Sequence, residues 1–245
     1  MPGEQAKHPK WLAFDIEIAK VLPESAGDLK TYRPLGISCA ATSAIDGELT
    51  LWHGTQSGNI ADRMNQAEAQ ELVRYLDRMT SAGYTILSWN GLGFDFDILA
   101  EESSMYPECR DLALKHVDLM FHFFCLKGFA VGLDSVAKGL GLKGKPKGID
   151  GSVVPRMWAS GQRQQVLEYV AGDVRTTLEI ARHVHERGQI CWITSRGERK
   201  AAPMPAWLRA ADACALPEPD VSWMTKPWPR SKFVGWTRAG LEPLR

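Results

Sequence analysis

One run near the start, WLAFDIEIAK (residues 11–20), constrains the fold more than any other stretch of the chain. Its apolar content is that of a buried strand, yet it carries two acids, Asp15 and Glu17, two residues apart. Side chains alternate between the faces of a strand, so Leu12, Phe14, Ile16 and Ile18 share one face and Trp11, Ala13, Asp15 and Glu17 the other. The two carboxylates then stand side by side, with Cα atoms ~6 to 7 Å apart from the strand rise. Like charges that close on a half-buried surface disfavour ionisation unless something positive compensates. A divalent cation with oxygen ligands meets that need. The competing reading is an edge strand with a solvated acidic face.

A chain of 245 residues supports one substantial domain, or a domain with an appendage. No apolar run approaches the roughly 18 residues of a membrane span, and residues 1–10 hold no apolar segment of signal-peptide type. The five cysteines are scattered, odd in number and free of Cys-x-x-Cys spacing, which argues against a disulfide framework or a zinc ribbon and leads us to expect a reducing, cytoplasmic setting. Net charge is zero, so the whole-chain field makes no case for a polyanionic partner. Between Phe121 and Gln165, however, seven basic residues face two acidic ones. Lys143, Lys145 and Lys147 crowd a Gly/Pro-rich segment there, either a solvated connector or a phosphate-facing flank.

Residues 10–18 open the pattern as a strand. RPLGISCAATS and GELTLWHG form a hairpin around Asp46-Gly47. A helix follows, with Asn65 as N-cap and Glu68 completing a capping box. TILSW reads as a strand, FDFDILAEES as a helix, KHVDLMFHF as a short strand and GLDSVAKGLGL as a short helix. A long amphipathic helix runs from near Ser160 to Gly188. Three meandering strands followed by alternating helix and strand predict a mixed sheet with helices on its faces. From Gln189 the texture changes to a Pro-rich tail with five of the nine tryptophans, expected to be an ordered but irregular wrap.

Two further stretches carry acids. In SWNGLGFDFDIL a strand exits into a glycine-containing turn and a helix, the kind of junction where side chains project past strand ends. Asn90 and Asp95 lie there, and two readings of Asp95 stand open, a site residue or an acid that simply favours the helix N-terminus. In EYVAGDV, Tyr169 and Asp173 are one helical turn apart on one face. Gly172 between them costs roughly 1 kcal/mol relative to Ala, which implies close approach to the backbone by a ligand or by the sheet. Asp97 is expected to be solvated, Asp118 to be polar trim at a strand end, and His122 to be a core or boundary histidine.

Asp-x-Glu, then Asn-x-x-x-Phe-Asp, then Tyr-x-x-x-Asp, each on its expected element, resembles the DEDD superfamily of 3′-to-5′ exonucleases in its tyrosine branch. Glu168 stands where the histidine branch would carry its histidine. DLMFHFF followed by GLDSVAKGLGL is similar to the proofreading domain of family B DNA polymerases. The resemblance spans roughly residues 9–188, and we expect a domain over 1–188 with an extension over 189–245 packed on it. It implies an α/β, ribonuclease H-like fold with a mixed five-stranded sheet. It also implies two Mg²⁺ or Mn²⁺ ions held by Asp15, Glu17, Asp95 and Asp173, about 3.5–4 Å apart, with Asp15 bridging. Tyr169 would orient the attacking water, since a phenol that titrates near ~10 is a poor base. Asn90, Leu92, Phe94, Lys143, Lys145 and Lys147 are the expected substrate contacts, with Leu92 and Phe94 as wedges against the terminal bases or as ordinary core. The expected partner is single-stranded nucleic acid, DNA ahead of RNA, together with a replication or repair protein and no membrane. The rivals are an exoribonuclease of the same superfamily and a catalytically silent nucleic-acid-binding module.

Overall fold

The computed structural model describes residues 9–144 and 151–238. Strand β1 (Trp11–Ile18) pairs antiparallel with β2 (Ile37–Ala44), which pairs antiparallel with β3 (Leu49–His53). The β2–β3 hairpin turns at Asp46-Gly47, where Gly47 takes φ +101°, a conformation glycine adopts without steric cost. Two-residue strands β4 (Thr55–Gln56) and β5 (Asn59–Ile60) form a small separate ribbon. Helix α1 (Gln66–Ser81) begins with the capping box, Asn65 accepting from the Glu68 amide and Glu68 from the Asn65 amide. It leads to β6 (Thr85–Ser88), parallel to β1.

After β6 come α2 (Asp95–Ser103), α3 (Tyr106–Lys115), the short strand β7 (Val117–Asp118) and α4 (Leu119–Lys127). Helices α5 (Leu133–Leu140), α6 (Val154–Ala159) and α7 (Arg163–Arg187) follow. The main sheet is five-stranded in the order β3-β2-β1-β6-β7, which puts β1 at its centre. That position overturns the edge-strand alternative.

The β1 alternation divides the interior into two cores. Leu12, Phe14, Ile16 and Ile18 pack with Leu72, Leu76, Phe96 and Leu112 under α1, α2 and α3. Trp11 and Ala13 pack on the other face with Val166, Val170 and Val174 of α7. On that second face, β1 lies beside small residues of β2: Asp15 is opposite Ala41 and Glu17 opposite Cys39. Small neighbours let α7 settle close to both strands.

KHVDLMFHF is a strand only at Val117–Asp118, and the apolar run after it is helical. Asp118 caps that helix by accepting from the Phe121 amide, and Gly128 closes it at φ +80°. The helix is apolar all round because it is buried all round. The tail is more regular than its composition announced, opening with a hairpin of β8 (Gln189–Ile193) and β9 (Arg199–Pro203) that turns at Gly197. Beyond it, α8 (Ala210–Cys214) and α9 (Ser231–Val234) contribute Ala210, Ala213, Phe233 and Val234 to the first core. Among the described residues no helix is long and apolar enough to cross a membrane.

Candidate metal centre

Where β1 runs past its last β6 pairing at Ala13, its second face turns from apolar to acidic. Helix α7 lies over that point and presents Asp173. Asp15, Glu17 and Asp173 each offer a carboxylate oxygen, and the three oxygens lie within 4.8 Å of one another. Glu17 and Asp173 are buried and Asp15 is half-buried. Tyr169, also buried, sits one turn before Asp173.

Tyr169, Gly172 and Asp173 form one wall of a cleft of about 590 Å³ whose charged lining is mixed, Lys143 and Arg175 with Glu168 and Glu179. The donor set is all oxygen, which suits a hard divalent cation. The nearby Cys39 thiol is held protonated, pushed well above the usual thiol range by burial and then by Glu17, so it adds no soft ligand. These residues fit Mg²⁺ or Mn²⁺.

Asp95 reaches the same corner from the other side. The Ile16 amide lies beyond the β6 pairing and donates to Asp95 Oδ1 at 2.9 Å, which fixes this carboxyl at the strand. Its side chain also hydrogen-bonds Asp15. Burial first, and then the charge of Asp118, push Asp95 up to about 7. Two carboxyl groups in contact both ionise only when a cation compensates them.

The loop that delivers Asp95 is pinned by residues to which the sequence reading gave no such role. Asp118 accepts from the Asn90 amide at 3.0 Å, the Leu92 amide at 2.9 Å and the Phe121 amide at 2.9 Å. It is therefore a buried tie between α4 and the loop, where polar trim was expected. Burial pushes it up to about 6 against these hydrogen bonds. Below the loop, His116 Nδ1 faces the Ala113 carbonyl at 2.5 Å and so carries the proton. Its Nε2 then accepts from the Ser88 hydroxyl at 2.9 Å, and Ser88 Oγ accepts from the Gly91 amide at 3.0 Å. Burial lowers His116 to about 4, consistent with this neutral tautomer. The readable signal for Asp118 was an N-cap residue placed directly before an apolar run.

The remaining expected contacts divide. Asn90 takes the left-handed conformation, φ +75°, at the strand exit. Phe94 is half-buried at the start of α2. Leu92 is fully buried in the first core and so cannot wedge against a base. Lys143 lines the cleft, while Lys145 and Lys147 lie outside the described residues.

Asp97, expected in solvent, is buried and paired at 2.6 Å with both Lys30 and Arg33, docking the segment before β2 onto α2. His122, expected as a core or boundary histidine, is buried, lowered to about 4 by that burial and set edge-on to Trp207. A Cβ on Gly172 would meet nothing within 4 Å, so this glycine is not packed against the sheet but opens onto the cleft.

The strand order and the acid-lined end of β1 define a ribonuclease H-like fold. The RNase_H superfamily model matches residues 51–185, more than half of the chain, and the chain belongs to that superfamily. The match starts after β1, the strand that carries Asp15 and Glu17. Among solved structures, the family B DNA polymerase from the hyperthermophilic archaeon Pyrobaculum calidifontis is similar, with a TM-score of 0.52 and 20% identity. The similarity covers 72% of this chain and only 24% of the polymerase. No curated protein matches.

Proposed function

We propose that this protein is a metal-dependent 3′-to-5′ exonuclease that trims single-stranded DNA ends to nucleoside 5′-monophosphates. The observation that carries the reading is the convergence of the Asp15, Glu17 and Asp173 carboxylates within 4.8 Å of one another, with Asp173 and Tyr169, one turn away, also lining an open cleft. Asp15, Glu17, Asp95 and Asp173 would hold two Mg²⁺ or Mn²⁺ ions, Asp95 in part through its grip on Asp15. The bound ions supply the positive charge that in-line displacement at a phosphodiester needs at both the attacking and the leaving oxygen.

The chain's own residues do the rest. The Tyr169 hydroxyl orients the attacking water against the phosphorus. Lys143 and Arg175 meet the phosphates that the acids would otherwise repel. Trp228, 48% exposed and carrying Lys232 Nζ 3.3 Å from its ring centre, offers an aromatic and basic surface for unpaired bases farther along the strand. The preference for DNA rests on the likeness to a polymerase.

The test is nucleotide release from end-labelled DNA and RNA oligomers, with and without Mn²⁺. Stepwise, metal-dependent shortening from the 3′ end of DNA supports the reading. Shortening of RNA alone makes the protein an exoribonuclease. Binding without release makes it a silent nucleic-acid-binding module.

A further inference from the structure

The family match ends at residue 185, yet the chain continues and returns to the loop that carries Asp95. Trp236 Nε1 donates to the Leu92 carbonyl at 2.7 Å. Phe233 is buried, with ring centres 5.4 Å from Phe121 and 4.7 Å from Phe124. It lies so close over Gly93 that a Cβ there would come within 2.8 Å of Phe233 Cδ1, and equally within 2.8 Å of Asn90 Oδ1. Arg230 anchors the segment by donating to the carbonyls of Cys214 at 3.0 Å, Pro217 at 2.8 Å and Cys125, near the end of α4, at 3.3 Å.

Helix α4 thus carries the Asp118 tie to the loop at one end and the anchor of the tail at the other. The Asn90–Asp95 loop is pinned from within by Asp118 and Ser88 and pressed from outside by Phe233 and Trp236. Packing alone does not require an indole N–H aimed at a loop carbonyl, nor a glycine exactly where an aromatic ring presses down.

We infer that Phe233 and Trp236 are positioning residues for the metal site, setting the Asn90–Asp95 loop so that Asp95 meets Asp15 and Ile16. The C-terminal segment therefore completes the centre rather than merely covering the domain. This rests on the nuclease reading for its catalytic consequence, but its effect on metal binding stands apart from catalysis.

The experiment compares Trp236→Phe, which keeps the ring and removes the donor, with Gly93→Ala, whose methyl displaces the Phe233 ring and the Asn90 side chain alike. Trp207→Phe is the control, since it removes an indole donor to the Ala181 carbonyl at 3.1 Å, on α7 and outside the loop. Folding is checked by circular dichroism, Mn²⁺ affinity by titration of free Mn²⁺, and nucleotide release as separate kcat and KM. Trp236→Phe and Gly93→Ala should weaken Mn²⁺ binding several-fold and lower kcat by roughly tenfold or more, with KM for the oligomer nearly unchanged. Trp207→Phe should alter neither, even where it lowers the melting temperature as much.

Parental Mn²⁺ affinity in folded Trp236→Phe and Gly93→Ala overturns the inference. A parent protein that binds Mn²⁺ but releases no nucleotide defeats the exonuclease reading and leaves the positioning role standing. A parent that binds no Mn²⁺ defeats both.

Discussion

The two halves of the acidic corner are built in different ways. Asp15, Glu17 and Asp173 are delivered by regular elements, whose strand alternation and helix pitch set which way they face. Asp95 is delivered by an irregular loop whose position depends on particular ties: Asp118 to two loop amides, Ser88 through His116, and Trp236 to the Leu92 carbonyl. Regular elements place a side chain through a repeat that tolerates many sequences. A loop has no repeat, and buried partners must hold its backbone groups one by one.

The comparison is broken most sharply at the regular half. Asp173→Ala should reduce metal-dependent release by at least ~10³-fold, about 4 kcal/mol of barrier, while the fold persists, because a cleft-facing carboxylate contributes little to the cores. Retained release would remove Asp173 from the centre. Tyr169→Phe should be milder, slowing turnover about 10- to 1000-fold without weakening Mn²⁺ binding. An unchanged rate reduces Tyr169 to a packing residue.

At the loop the balance reverses, and stability should suffer alongside activity. Asp118→Ala leaves three backbone amides without their acceptor and should cost roughly 2–4 kcal/mol in denaturant unfolding, with activity falling as the loop loosens. Parental stability would mean that the loop holds itself.

The same ties should respond to pH. Folded His116 binds its proton near 4, against 6.5 ordinarily, so between these values the unfolded chain takes up the proton first. Its contribution is present above 6.5 and is lost as pH falls towards 4. Asp118, raised to about 6 from 3.8, has the opposite sign and adds stability as pH falls through that window. Replacing His116 by Gln should therefore flatten the acid limb of melting temperature against pH between 6.5 and 4, whereas Asp118→Asn should steepen it. Parallel curves for both variants and the parent would refute the assignment.

The smallest effect returns to the regular half. Gly172→Ala should raise stability by up to ~1 kcal/mol, because the added methyl meets nothing. The same methyl narrows the cleft floor between Tyr169 and Asp173, so release should slow despite the gain. A stabilised variant with parental activity would show that the floor needs no such opening.

The same division explains what could be read in advance. The β1 alternation, the Asn65 capping box and the pitch of α7 are local patterns, and each pointed to its element. The α4 segment was misjudged because an entirely apolar run has no periodicity, and only its cap at Asp118 and Gly128 at its end distinguish it from a strand. The burial of Asp97 depends on Lys30 and Arg33 folding back over α2, which no local pattern encodes. Trp236 stood out only as one of five tryptophans in a Pro-rich tail, and no local pattern set Phe233 apart. Their separation from the exposed Trp223 and Trp228 is decided by what α4 and the Gly93 loop leave open.

The central position of β1 bears on how the protein matures. In the chain its parallel partner β6, the loop with Asp95 and the helix with Asp173 all lie far downstream, and Trp236 farther still. Each is a contact of long sequence separation, the kind that forms slowly because loop closure must precede any reward. A segment holding only β1, β2 and β3 displays two carboxylates with nothing to gather around, so the acidic corner assembles only once β6, the Asp95 loop and α7 have docked.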